Sequence, residues 1–117
     1  MVLSKRKGYR TERKIKKIFE SNGWKVVRAG ASLGEADLVC MKRAKCILIQ
    51  VKSSKKKTFY YYEYKNKKLE GFPFYLVVDF GYGKIRISEP RIKISVNDGE
   101  DLRKFLRKFK AWDVLYY

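Results

Sequence analysis

No histidine occurs in the 117 residues, and that absence removes more chemistry than any other feature of the chain. Mechanisms built on an imidazole base are excluded, and so are metal centres held through histidine. Carboxylates, amides, lysines and hydroxyls are left to do any chemistry. Cysteine is nearly as scarce. Cys40 and Cys46 are too few for a disulfide framework or a four-ligand zinc site, and both are expected to be plain core residues. No apolar run approaches the length needed to span a bilayer, and the N-terminus carries no signal-peptide stretch, so the expectation is a cytoplasmic protein with no membrane contact. Acidic residues are also few, 12 against 29 Lys and Arg, a formal net charge of +17. The length suits one compact domain over residues 1–117.

Such an excess of one sign strains a compact fold by self-repulsion unless a polyanion sits against it, and nucleic acid is the leading candidate. The basic residues spread along the chain: eight of the first seventeen positions are Lys or Arg, and no acid occurs from Leu38 through Tyr62. That distribution suits an extended surface. Charge alone does not choose between a binding protein and an enzyme.

Apolar periodicity predicts a helix from Tyr9 to Ser21, with Ile15, Ile18 and Phe19 as its stripe and Asn22–Gly23 as its end. Trp24–Ala29 reads as a strand, followed by the small-residue turn AGASLG. Residues 35–41 and 46–52 read as strands joined by a polar loop, Lys42 to Lys45. The tyrosine-rich segment TFYYYEYKNKKLEGFPFY is expected to hold a strand or loop and one short helix. Tyr75–Phe80 and Lys84–Ser88 read as a hairpin through GYG, and Ile92–Val96 as a short strand. A last helix spans about Glu100 to Lys110, with Leu102, Phe105, Leu106 and Phe109 facing the core and Asp98 or Asn97 near its cap. The order implies an α/β fold, a central mixed β-sheet flanked by α-helices.

A count across the hairpin locates the polar groups. A loop at Lys42–Lys45 sets Met41 opposite Cys46, Val39 opposite Leu48, Asp37 opposite Gln50 and Glu35 opposite Lys52, all on one side of the sheet. Cys40 then falls opposite Ile47 on the reverse side. Four polar groups gather at one end of an apolar pair, a costly arrangement unless that end meets water, a metal ion or its own counter-charges. Glu12 lies one turn before Ile15, on the core side of its helix. Either it pairs with Arg13 or Arg28, or it reaches the polar end of the hairpin and joins Asp37 around a divalent cation.

The segments KRKGYRTER (5–13), GWKVVRAGAS (23–32) and ADLVCMKRAKCILIQVKSS (36–54) resemble the archaeal-type Holliday junction resolvases of the PD-(D/E)XK nuclease superfamily. The resemblance covers roughly the first half of the chain. It implies a restriction-endonuclease-like core and a Mg²⁺-dependent endonuclease, with Mn²⁺ as substitute, making paired cuts in branched DNA as a homodimer without any small-molecule cofactor. By position, Glu12, Asp37 and Gln50 match the metal-binding residues, Lys52 the lysine that orients or activates the attacking water, and Ser32 a loop serine near the scissile phosphate. Lys5, Arg6, Lys7, Arg10, Arg13, Arg28 and Lys55–Lys57 are the expected DNA contacts. Two departures stand out: Ala36 replaces the usual proline and Gln50 the usual glutamate. The latter removes a charge from the metal site, and Glu35 is a candidate replacement. Two alternatives remain open, a catalytically weak or inactive DNA-binding protein on a nuclease fold and a nuclease for flaps or other branched DNA.

Overall fold

The computed structural model describes residues 2–29, 34–62, 68–69 and 71–115, with side chains from 8–29, 34–62 and 71–109. Helix α1 (Val2–Ser21) leads into β1 (Lys25–Arg28), β2 (Leu38–Lys42) and β3 (Lys45–Ser53). The short strands β4 (Thr58–Tyr60) and β5 (Lys68–Leu69) precede β6 (Phe72–Asp79) and β7 (Ile85–Ser88). After β8 (Lys93–Ser95) and β9 (Glu100–Asp101), helix α2 (Leu102–Leu115) closes the chain.

The main sheet runs β1-β2-β3-β6-β7-β9, with β5 beside β6. Its β3 and β6 are parallel while the flanking pairs are antiparallel, the expected mixed sheet. Both helices cover one face, where Ile15 and Phe19 of α1 and Leu102 and Leu106 of α2 pack on alternate strand residues such as Leu38, Ile49 and Ile87. Each such fully buried side chain contributes roughly 1.5–3 kcal/mol. On the opposite face the antiparallel β4–β8 ribbon lays Tyr61 and Ile94 over Leu76 and Val78. Cys40 is buried on the helix-covered face and Cys46 half-buried on the other, as the strand count requires.

Local chemistry explains most boundaries. Helix α1 ends in a Schellman turn: Trp24 N–H donates to the Phe19 carbonyl at 3.1 Å and Gly23 N–H to that of Glu20 at 3.1 Å, with Gly23 at φ 87°. The buried Lys42 closes the same end, its Nζ donating to the Asn22 carbonyl at 2.9 Å. Trp24 then meets Phe19 and Phe109 edge-on, centroids 5.5 and 5.1 Å apart, tying α1 to α2.

Several expectations are corrected. Helix α1 begins at Val2 and not Tyr9, because its first turns carry no apolar stripe for periodicity to detect. The β2–β3 hairpin is tighter than a four-residue loop. Arg43 and Ala44 both adopt positive φ, 46° and 62°, and Lys42 pairs with Lys45, which leaves the predicted register unchanged. No helix lies between β3 and β6 among the described residues; residues 63–67 and Glu70 fall outside them. Helix α2 is capped by Asp101, whose Oδ2 accepts from Lys104 N–H at 3.2 Å, while Asp98 accepts from Ser95 N–H in the preceding turn.

Candidate active site

Asp37 stands immediately before β2 and is fixed by three hydrogen bonds. Its N–H donates to the Ile49 carbonyl at 2.7 Å, its carbonyl accepts from Ala29 N–H at 2.9 Å, and its Oδ2 accepts from Val51 N–H at 2.7 Å. The last bond puts a carboxylate oxygen where a neighbouring strand's carbonyl would otherwise serve β3. The side chain is therefore positioned by backbone on both sides.

Burial pushes the Asp37 carboxyl above its ordinary value of 3.8; the Val51 hydrogen bond opposes this, Glu12 adds to the rise by repulsion, and the charges of Lys52 and Arg28 pull it down. Groups from α1, β1 and β3 thus act on one carboxylate, although they come from three distant points in the sequence. Gln50 follows Ile49, the residue paired with Leu38, and is 7% exposed. Its amide is uncharged and adds no charge to this part of the sheet. Lys52, two residues on, is half-buried on the same side of β3.

Glu12 makes the expected pair with Arg28, through its Oε2 at 3.2 Å, and also acts electrostatically on Asp37. Tyr9, which the sequence reading passed over, forms the platform of this arrangement: the guanidiniums of Arg28 and Arg13 lie 4.9 and 5.6 Å from its ring centroid. The only available signal was its place one helical turn before Arg13. Arg10 and Lys55–Lys57 are exposed. Lys5, Arg6 and Lys7 lie on the first turns of α1 with side chains outside the described set, and Ser32 is outside the described residues altogether. Glu35 occupies a turn beside Gly34, before strand pairing begins at Leu38, so the projected cross-strand pair with Lys52 is not part of the β2–β3 ladder.

The donor set suits a hard divalent cation. Two carboxylates and an amide supply only oxygen, and burial with mutual repulsion gives Asp37 a raised affinity for positive charge. Among the described residues no three of His, Cys, Asp and Glu gather.

The tyrosine cluster divides. Tyr61 is core; Tyr60 and Tyr62 are exposed and stacked on each other, centroids 5.8 Å apart and planes 7° off parallel; Tyr64 is outside the described residues. The side chains of the terminal WDVLYY segment are also outside them.

Residues 3–75 match the family model described as archaeal Holliday junction resolvase (Hjc). The solved structure of Hjc, a Holliday junction resolvase from the archaeal hyperthermophile Archaeoglobus fulgidus, is similar to this chain with a TM-score of 0.66 at 18% identity. The likeness covers 86% of this chain and 96% of that one. No curated protein sequence matches.

Proposed function

The chain belongs to the archaeal Holliday junction resolvase family, and from that premise we propose that it cuts four-way DNA junctions by metal-dependent hydrolysis as a homodimer, with Asp37 at the centre of the site. The observation that carries this reading is the hydrogen-bonded Asp37 carboxylate within electrostatic reach of Glu12, Arg28 and Lys52. Asp37, Glu12 and the Gln50 amide oxygen would hold Mg²⁺, or Mn²⁺ in its place. When bound, the ion supplies charge for the phosphoryl oxygens and lowers the pKa of water.

The chain's own groups have separate tasks. Asp37 gives one oxygen to Val51 N–H, which fixes its orientation, and its other oxygen would be available to hold the ion. Lys52 hydrogen-bonds the attacking water and balances negative charge on the phosphate. Ser32 donates to a phosphate oxygen. Arg28 and Arg13, steadied on Tyr9, hold the DNA backbone, with Arg10 and Lys55–Lys57 extending the track. Two subunits provide the two active sites that paired cuts require, and a two-fold axis relates them.

Phosphate contacts of this number make binding steeply salt-dependent. With about six to ten such contacts, affinity falls by about 10³–10⁵ between roughly 50 and 200 mM salt. Replacing Lys55, Lys56 and Lys57 together by alanine lowers the slope of log K against log salt by about three. Fluorescence anisotropy with labelled junctions reads both.

Purified protein tests the reaction itself on four-way, flap and linear DNA, with Mg²⁺, Mn²⁺ or chelator. Cleavage confined to the four-way substrate and lost in chelator is the expected result; equal cutting of linear duplex overturns the assignment. Gln50→Glu restores a charge to the site and is expected to lower the Mg²⁺ concentration for half-maximal rate by about tenfold. The uncharged Gln50 also favours a second reading, a DNA-binding protein with little catalysis, and tight binding without cleavage in either ion would establish it.

A further inference from the structure

Beside the proposed site lies a notch that the assigned residues leave unused. It has a volume of about 410 Å³ and opens between α1, the end of β3 and the β6–β7 turn, with Thr11, Ser53, Ser54, Lys55 and Tyr82 among its walls. Thr11 precedes Glu12 and Ser53 follows Lys52, so the notch begins one residue from two members of the site. Its floor is Asp79, whose charge is already met: Oδ2 pairs with Lys14 at 2.9 Å and Oδ1 accepts from Gly81 N–H at 2.8 Å.

Tyr82 forms the lip. The ring is fully exposed, at 103%. Its backbone has φ 52°, between Gly81 at 86° and Gly83 at 77°, a left-handed conformation that costs energy for a bulky side chain. An aromatic held in an unfavourable backbone state with no core contact does nothing for the fold. Lining the notch with it are hydroxyls and Lys55, and the one acid there, Asp79, has its charge met, a combination suited to a flat, uncharged ring attached to a phosphate chain.

We propose that this notch is a nucleobase subsite, where Tyr82 stacks on a base left unstacked at the branch point of the DNA while Lys55 takes the adjoining phosphate. The proposal rests on the DNA-cleaving reading and refines its substrate recognition. It also supplies a preference for branched over linear DNA, because bases within a continuous duplex are already stacked.

The test compares Tyr82→Ala, Tyr82→Phe and Tyr82→Asn with the parent on a four-way junction carrying 2-aminopurine at the branch point, and on linear duplex. Tyr82→Ala is expected to bind the junction about tenfold more weakly and to lose the quenching of 2-aminopurine, with linear affinity unchanged; Tyr82→Phe retains both. Tyr82→Asn, which tolerates left-handed backbone, keeps or raises Tm while losing junction affinity as alanine does. Junction affinity and quenching in Tyr82→Ala equal to the parent's would overturn the subsite alone. A parent protein that binds no DNA would overturn the reading beneath it.

Discussion

Asp37→Asn is expected to lose junction cleavage by about 10³–10⁴-fold while gaining stability at neutral pH, the scale being that for a group acting as part of a catalytic unit. Asparagine keeps an oxygen for Val51 N–H, so the backbone clamp survives, but it gives up the charge. The stability gain follows from proton linkage. The native carboxyl has its pKa raised above 3.8, chiefly by burial, so between 3.8 and the raised value the folded chain binds more protons than the unfolded one. Stability contributed by this site therefore falls as pH rises through that window and is level on either side. Asp37→Asn removes that decline, so the two proteins should differ least below 3.8 and most at neutral pH, as Tm across pH will read. Parent-like cleavage by Asp37→Asn would refute its central role. A variant less stable at neutral pH would refute the electrostatic account alone.

Gly99→Ala is the second large effect, and it acts on the fold. A Cβ at Gly99 would lie 2.4 Å from the Ile87 carbonyl oxygen and 2.9 Å from Ser88 Cβ, and the backbone has φ 66°. Neither contact can yield easily, since one is the backbone of β7 and the other is held by it. The same turn is bound to β7 through Arg86, whose Nε and a terminal nitrogen donate to the Asp98 and Gly99 carbonyls at 2.8 and 2.9 Å. Left-handed strain and overpacking together should cost roughly 2–4 kcal/mol. Urea denaturation measures this, and a loss under about 0.5 kcal/mol, the usual range for surface substitutions, would show that the turn relaxes freely.

How much of this was legible in the sequence depends on the range of the interaction responsible. The β2–β3 register followed from alternation and a loop, because Val39, Leu48, Cys40 and Ile47 have their partners nearby in the chain. The end of α1 followed from Asn22–Gly23, and the buried face of α2 from the spacing of Leu102, Phe105 and Leu106. The strand at Ile92–Val96 was legible as β8, but its pairing with β4 was not, because Thr58 and Ser95 are far apart in the chain and three-residue strands carry too little pattern to specify a distant partner. The candidate site was chosen by residue type and position, and its mechanics were not legible. Asp37, Lys52 and Glu12 were marked by type and position, but spacing does not reveal that Asp37 bonds the backbone of β3 or that Tyr9 supports two guanidiniums.

A guanidinium can serve only a limited number of oxygens at once, and in the folded protein Arg28 already serves Glu12. A phosphate arriving at Arg28 must share or displace that carboxylate, returning negative charge to the neighbourhood of Asp37 as the substrate docks. If the site takes up a divalent cation as proposed, cation uptake and substrate docking are thermodynamically reciprocal, each making the other easier.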